Sequence, residues 1–239
     1  MTQMSIAVYT AKLSEKEEVN NKFIWFHFEL INPNLLDFAA GQYILLDIPG
    51  VEAKKQYSIA SEPQMNHAIE LLVDITPGGE ASTYFSQLEI GDDITFRAPV
   101  GVFTVSKEKT EEALVFVATG SGITPLRSMI LDQLHTQKDT RPVKLFWGMR
   151  HAHEMFWEED FYGIDQDYDN FSFEMILSKP PEDWHLSTGY VTDLLEGYQK
   201  NFDSAGFYIC GGSKMIDSVR EYLKSKSVPE EHIHTEKFF

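Results

Sequence analysis

The residues best suited to chemistry form a glycine-rich turn near the middle of the chain. Leu114–Val117 is an apolar run that predicts a buried strand, and Gly120 and Gly122 follow it around one serine. Glycine there allows a sharp turn and a close approach by another molecule. Thr124 is a candidate N-cap, and Pro125 suits the first helical position, where its missing N–H is not needed. A strand, a turn and a helix start in this order aim unpaired N–H groups at one point, which suits a pyrophosphate.

These residues alone leave two interpretations of the turn open. The usual dinucleotide fingerprint G-x-G-x-x-G is not met, because Pro125 stands where the third glycine would be. A dinucleotide site and an ordinary strand-to-helix turn are therefore about equally supported by the turn itself.

A second stretch with suitable side chains is 54–61, K-K-Q-Y-S-I-A-S. Lys55 offers a positive charge for a phosphate, Tyr57 a ring face for stacking and Ser58 a hydroxyl. An edge strand with solvated lysines has the same composition, and taken alone it is the better supported interpretation.

Composition narrows the class of protein. The 239 residues are 43% hydrophobic, which is enough for a sizeable core, and carry a formal net charge of −17. That charge disfavours nucleic acid and anionic membrane surfaces as partners. The single cysteine, Cys210, excludes a disulfide framework and a cysteine-held iron–sulfur cluster within these residues, and the histidines show no metal-ligand spacing. No signal peptide or membrane-spanning apolar run is visible, so a cytoplasmic protein without an integral membrane segment is expected.

The two halves of the chain differ in pattern. Short alternating runs with Gly and Pro punctuation predict a closed antiparallel β-barrel over 1–110, with strands near 5–10, 23–30, 43–48, 57–60, 69–75 and 92–98 and a short helix near 82–88. The charged stretch 107–112 is the expected linker. Over 111–239 strands alternate with helices, which predicts a parallel α/β sheet; the strands are 114–117, 143–147, 171–177 and 206–209, and the helices are 125–135, 154–161, 191–198 and 214–226.

Five motifs in order resemble the ferredoxin–NADP reductase superfamily, which includes flavin reductases and the reductase components of oxygenases. K-Q-Y-S is similar to the family's R-x-Y-S flavin motif, T-P-G-G-E-A-S to its pyrophosphate turn, and A-T-G-S-G-I-T-P to its nicotinamide-nucleotide motif. F-W-G-M-R and F-Y-I-C-G-G resemble its aromatic-G-x-R and [YF]-x-C-G segments. The resemblance covers almost the whole chain and implies an FAD-binding barrel domain over 1–110 and an NAD(P)-binding α/β domain over 111–239.

By this resemblance the first half would bind FAD. Tyr57 would lie against the isoalloxazine ring, Ser58 would hydrogen-bond near flavin N5, and Val73 would add backbone contacts. The pyrophosphate would be held by three residues of the turn: Gly79, Ser82 and Thr83. Lys55 stands where the family has arginine; it keeps the charge but not the bidentate fork, so FAD is expected and FMN stays open as the alternative.

The second half would bind NADH or NADPH. The glycine turn would supply four of the contacts, from Gly120, Gly122, Thr124 and Pro125. Arg150 and Ser178–Lys179 are candidates for the adenosine end, although a solvated Lys179 is somewhat better supported. Two cations would suit a 2′-phosphate, and the choice of nucleotide stays open.

The resemblance also assigns roles near the C-terminus. Cys210 would lie near the nicotinamide C4 and serve packing and positioning without a covalent step. Gly211 and Gly212 would let the nucleotide lie close. Phe238 would cover the flavin ring until nicotinamide displaces it, and a frayed tail is the alternative.

The expected activity is FAD-dependent NAD(P)H oxidation, with hydride accepted at flavin N5. The electrons would pass to a separate protein, of the ferredoxin, flavodoxin or oxygenase type. A flavin reductase that reduces free flavin is the alternative, and a non-enzymatic nucleotide-binding sensor or electron-transfer subunit is less favoured. The longer T-P-G-G-E-A-S-T-Y-F-S-Q-L segment favours tightly held FAD and hence a protein acceptor.

Overall fold

The structure, a computed structural model, describes residues 6–106, 110–198 and 202–238. Residues 107–109 of the expected linker therefore lie outside the described residues, as do Ser5 and Phe239. The chain divides into two compact units. The first takes in the chain up to Thr104 together with Arg127–Gln137, and the second takes in Val105–Leu126 and the chain from Lys138 onward. The domain boundary at residue 110 stays a prediction.

The first unit is built on one antiparallel sheet of six strands in the order β4-β3-β6-β1-β2-β5. The strands are β1 (Ala7–Glu18), β2 (Phe23–Asn32), β3 (Tyr43–Asp47), β4 (Lys55–Ser58), β5 (Ala68–Asp74) and β6 (Asp93–Val100). The two edge strands approach each other, because the Ala60 N–H, just beyond β4, donates to the Glu70 carbonyl of β5 at 2.8 Å. The predicted antiparallel barrel is confirmed.

Alternation along the strands explains the core of the barrel. Phe26, Phe28 and Leu30 of β2 point inward and are buried, while the residues between them are more exposed. Helix α1 (Glu80–Gln87) lies between β5 and β6 in the chain and buries Phe85 against the same core.

The second unit contains a parallel sheet in the order β11-β10-β7-β8-β9. Its strands are β7 (Ala113–Thr119), β8 (Val143–Met149), β9 (Phe171–Leu177), β10 (Ala205–Gly211) and β11 (Ile233–Lys237). Its helices are α3 (Glu158–Asp167), α4 (Val191–Gly197) and α5 (Ser213–Ser225). Helix α2 (Ile123–Leu131) follows β7 in the chain; it begins in this unit, and from Arg127 onward it belongs to the first unit. The predicted parallel α/β sheet is confirmed. No helix in the described part of the chain is long and apolar enough to cross a membrane.

Several element bounds differ from those expected. β1 continues to Glu18, well past the predicted end at residue 10, because its second half pairs with β2 although its sequence is charged. α2 begins at Ile123 rather than at Pro125 and continues as a π-helical turn over Asp132–Thr136. α3 lies several residues later than predicted, and β11 was not predicted as a strand.

Candidate cofactor sites

Lys55, Tyr57 and Ser58 of the flavin motif lie on β4, and Tyr57 contacts α1. The ring of Tyr57 meets the ring of Phe85 edge-on, with 4.8 Å between centroids. This contact joins β4, the strand that carries Ser58, to α1, the helix that follows Gly79. Burial raises the pKa of Tyr57 to about 12, so its hydroxyl is neutral at physiological pH. Ser58 is 6% exposed and pairs with Tyr43 of β3.

The start of α1 offers unpaired backbone donors. Gly79 is the extended N-cap residue, and no side chain caps the first turn in the described structure. A Cβ on Gly79 would meet nothing within 4 Å, so the space before the helix is open. Ser82 is buried and Thr83 is exposed, and the Thr83 N–H donates to the Gly79 carbonyl at 3.0 Å. Open space at an uncapped helix start suits an anion such as a pyrophosphate.

Two other predicted flavin residues lie on neighbouring strands. Lys55 begins β4, is half-buried and pairs with Leu46 of β3. Its neighbour Lys54 forms an ion pair with Asp47. Val73 is 1% exposed in β5, so its side chain belongs to the core and only its backbone is available to a ligand.

The predicted nucleotide residues of the second unit meet at one edge of the parallel sheet. Strand order reverses between β7 and β10, since β8 lies on one side of β7 and β10 on the other. Ligands of open parallel sheets bind at the carboxyl ends of strands beside such a reversal. Gly120 and Gly122 follow β7, and Gly211 and Gly212 end β10 and cap α5, so the structure brings these four glycines to the two sides of the reversal.

The glycine turn itself is a tight 3₁₀ turn against the end of β10. A Cβ on Gly122 would lie 2.2 Å from the carbonyl oxygen of Cys210, so only glycine fits there. Gly120 has φ +55° and a Cβ there would meet nothing within 4 Å. The indole N–H of Trp147 donates to the Gly120 carbonyl at 3.1 Å. Sequence reasoning missed this role of Trp147, although the F-W-G-M-R motif contains it.

The predicted N-cap role of Thr124 is wrong. α2 begins one residue before Thr124, and the Thr124 hydroxyl donates to the Ser121 carbonyl at 2.7 Å instead of accepting an N–H. Pro125 is the third helical residue, where a helix still has unpaired N–H groups and proline costs little. Both residues still adjoin the glycine turn.

Basic residues follow the ends of β8 and β9. The Lys179 N–H donates to the Arg150 carbonyl at 2.9 Å, which holds the two residues side by side. His151 Nδ1 lies 3.2 Å from the Lys179 carbonyl oxygen, and the His151 and His153 rings stack with centroids 5.2 Å apart. Arg150 and Lys179 are exposed at the same edge of the sheet as the glycines.

Cys210 is buried at this edge, and Glu236 beside it is half-buried. They pair across β10 and β11, and burial together with the Glu236 charge raises the pKa of the Cys210 thiol well above its usual value. Burial also raises the pKa of Glu236 to about 7, and its Oε2 has no hydrogen-bond partner among the described residues. The Phe238 N–H donates to the Gly211 carbonyl at 3.0 Å, which attaches the backbone of Phe238 to the end of β10, and the role expected for its side chain stays a prediction.

Both candidate sites lie in parts of the chain that match known protein-family models. Residues 10–105 match the model of the oxidoreductase FAD-binding domain, and residues 116–221 match the oxidoreductase NAD-binding domain. The chain belongs to the ferredoxin–NADP reductase superfamily. These matches confirm the expected FAD-binding domain and the expected NAD-binding domain.

Two curated relatives are a phenol hydroxylase protein and a dioxygenase electron transfer component. The chain is 36% identical over 234 residues to the phenol hydroxylase P5 protein of Acinetobacter pittii, covering 96% of this chain and 65% of that protein. It is 30% identical to the anthranilate 1,2-dioxygenase electron transfer component of Acinetobacter baylyi, covering 85% of this chain and 59% of the relative. The chain thus spans about three fifths of the length of these relatives.

A solved structure gives the same architecture. The reductase GcoB of Amycolatopsis superposes with a TM-score of 0.91 at 26% identity, over 100% of this chain and 72% of that one. The residues of the present chain also fit the two dinucleotides that its two domains are expected to bind. The uncapped start of α1 and the half-buried Tyr57 ring fit a flavin dinucleotide, and the open space at Gly120 and Gly212 fits a second dinucleotide.

Proposed function

We propose that this chain is an FAD-dependent NAD(P)H oxidoreductase that passes electrons to a separate protein acceptor, such as an oxygenase component or a ferredoxin-type or flavodoxin-type protein. The observation that carries the proposal is the presence, in one chain, of an aromatic strand beside an uncapped helix start and of a glycine-lined reversal in a parallel sheet. Each arrangement suits one dinucleotide.

The residues of the first unit bind and orient the flavin in this proposal. Tyr57 stacks on the ring, the Ser58 hydroxyl hydrogen-bonds to its reactive edge, and the N–H groups at Gly79–Thr83 with Lys55 hold the phosphates. When bound, FAD supplies a redox centre that accepts hydride at N5 and releases electrons singly or in pairs.

The residues of the second unit bind the nucleotide. The turn at Gly120–Gly122 receives its pyrophosphate, and Gly211 and Gly212 permit a close approach. Cys210 serves packing and positioning in this proposal, and burial, which raises the pKa of its thiol, disfavours a nucleophilic thiolate. Arg150 and Lys179 contact the adenosine end of the nucleotide. The choice between NADH and NADPH stays open, so both are tested as electron donors.

The acceptor rests on the relatives' names and on how the flavin is held. One relative is named as a phenol hydroxylase protein and the other as the electron transfer component of a dioxygenase. A flavin gripped at its ring by β4 and at its phosphates by α1 dissociates slowly, because affinity differences reside mostly in the off-rate. An enzyme that retains its flavin passes electrons outward to a partner, and docking of charged surfaces makes that transfer sensitive to salt.

The test starts with purified protein dialysed exhaustively against buffer. We expect a yellow protein with about one FAD per chain, which reduces cytochrome c with NADH or NADPH and needs no added flavin. A colourless protein that binds no FAD on titration would contradict the whole proposal. Activity that appears only with added FMN, riboflavin or FAD, each with saturable dependence, would make the chain a flavin reductase instead.

A further inference from the structure

The chain leaving the flavin-motif strand is held by side chains of α2. The guanidinium of Arg127 donates from Nη1 to the Ala60 carbonyl at 3.0 Å. The next residue, Ser128, donates from its hydroxyl to the Ser61 carbonyl at 2.6 Å. Arg127–Gln137 is grouped with the barrel unit, so these contacts lie within one unit. Two successive carbonyls just past Ser58 are thus fixed by two successive helix residues.

The π-helical turn extends the same attachment by one residue. His135 Nδ1 lies 3.1 Å from Glu62 Oε1, and the Thr136 hydroxyl lies 3.4 Å from Glu62 Oε2. The segment that follows β4 is therefore attached to the helix at three consecutive positions.

Glu70 of β5 completes the arrangement from the other side. Its carboxylate accepts from Arg127 Nη1 at 2.8 Å, and its own N–H donates to the Ser61 hydroxyl at 3.2 Å. Ala60 and Ser61 are 0% and 1% exposed. Buried backbone groups need partners, and Arg127 serves one such carbonyl while it neutralises the nearby carboxylate.

The Arg127–Glu70 pair is mostly removed from water, with side chains 17% and 10% exposed. Burial acts to raise the pKa of Glu70, but the His27 ring, whose Nδ1 lies 3.8 Å from Glu70 Oε1, and the charge of Arg127 outweigh it and the pKa is lowered. A charge left alone in such a place is strongly unfavourable. Loss of the arginine would therefore disturb the carboxylate as well as the Ala60 carbonyl.

We propose that Arg127, assisted by Ser128, is a positioning residue for the flavin: it fixes the backbone at Ala60 and thereby the orientation of Ser58 and Tyr57. This proposal rests on the proposed function. Ser58 stands two residues before Ala60, and Ile59 is held on the barrel side because its N–H donates to the Gln42 carbonyl at 3.1 Å. With every residue from Ser58 to Ser61 buried, a displacement at Ala60 is transmitted to the Ser58 hydroxyl.

The experiment compares Arg127 with a matched arginine of the other unit. Arg141 pairs with Asp139 at 2.7 Å, and the two side chains are 12% and 2% exposed, so its removal also deprives a buried carboxylate of its partner. For Arg127→Met we expect FAD to bind at least about 10-fold more weakly and the visible circular dichroism of the bound flavin to change. For Arg141→Met we expect a lower melting temperature but an FAD Kd within about twofold of the parent and an unaltered flavin spectrum.

Milder variants keep the test decisive if a methionine variant does not fold. Arg127→Lys retains the charge on a shorter side chain, which draws the donor nitrogen back from the Ala60 carbonyl and the Glu70 carboxylate. Ser128→Ala removes one hydroxyl. Each should weaken FAD binding about threefold or more, while Arg141→Lys should not. Equal FAD affinity and spectra across the Arg127 and Arg141 series would overturn the positioning role and leave the proposed function intact. A parent protein that binds no FAD would overturn both.

Discussion

The two units build their candidate sites from different parts of the chain. In the barrel unit the groups offered to a ligand are largely side chains, with Tyr57 and Ser58 on a strand whose exit is held by buried hydrogen bonds. In the sheet unit they are largely backbone groups, exposed because Gly120 and Gly212 carry no side chain. The flavin site should therefore respond to substitution gradually, and the nucleotide site abruptly.

Packing explains that contrast. A truncated side chain leaves a space that neighbours fill in part, so its loss is graded. An added Cβ at a close backbone contact has no such freedom, because the opposing atoms are themselves fixed in a sheet. Gly122 is the clearest case, since the atoms that a Cβ would meet are the carbonyl of Cys210 and the Gly211 nitrogen.

The largest expected effect is that of Gly122→Ala. The new methyl group would lie 2.2 Å from the Cys210 oxygen, which forces the turn away from β10. We expect reduction of the bound flavin by NAD(P)H to slow by at least about 100-fold, or about 2.7 kcal/mol, while FAD content stays near the parent value. Stopped-flow flavin reduction and the absorbance ratio of flavin to protein measure the two quantities.

Gly163→Ala provides the control for that substitution. Gly163 lies in α3, and a Cβ there would meet nothing within 4 Å. We expect unchanged flavin reduction and a slightly higher melting temperature, because alanine favours helix over glycine by up to about 1 kcal/mol. If flavin reduction in the Gly122→Ala protein were as fast as in this control, the nucleotide site would not respond abruptly to substitution, and the contrast with the flavin site would be wrong.

Local patterns were enough to predict the fold class and the order of the two domains. The alternation of β2 and the strand–turn–helix around Gly120 depend on residues close in sequence. β11 was missed because its sequence, I-H-T-E-K, contains a single apolar residue, Ile233, and shows no apolar alternation. The segment becomes a strand only by pairing with β10. The Arg127 contact with Ala60 joins residues 67 positions apart, and no periodicity indicates such a pair.

A second prediction concerns the buried carboxyl group of the sheet unit. Glu236 has its pKa raised to about 7 by burial, so in the folded chain it stays neutral at a pH where the unfolded chain has released the proton. The contribution of Glu236 to stability is therefore largest below the ordinary pKa of a glutamate and is lost as the pH rises to about 7. The loss is at most about 3 kcal/mol.

Glu236→Gln should remove this dependence. We expect the variant to match the parent near pH 4 and to exceed its free energy of unfolding by up to about 3 kcal/mol at pH 8. Urea unfolding followed across pH 4 to 8 measures the difference. Parallel curves for the two proteins would show that the Glu236 carboxyl is charged in the folded chain.

Cys210→Ala tests a side chain in the nucleotide site, where most of the groups offered to a ligand belong to the backbone. Cys210 is buried, and its pKa is raised by burial and by Glu236, so it acts through packing rather than as a thiolate. We expect FAD to be retained and flavin reduction to slow by about 10-fold to 100-fold, or about 1.4 to 2.7 kcal/mol. An unchanged rate in stopped flow would make Cys210 a core residue only.

The smallest expected effect is that of Glu80→Gln at the start of α1. Glu80 is exposed in the first turn, where its charge favours the helix but repels a phosphate bound at the same N–H groups. Removing the charge should tighten FAD binding about twofold to fivefold at low salt, with a smaller gain at 0.5 M salt because the repulsion is screened.

Glu89→Gln is the matched control, because Glu89 is an exposed carboxylate beyond the other end of α1, and it should leave the FAD Kd unchanged. Titration of the apoprotein with FAD at both salt concentrations measures the effect. If Glu80→Gln weakened binding, or if both variants changed it equally, the phosphates would not lie at the start of α1, and the flavin site of the barrel would have to be sought elsewhere along β4.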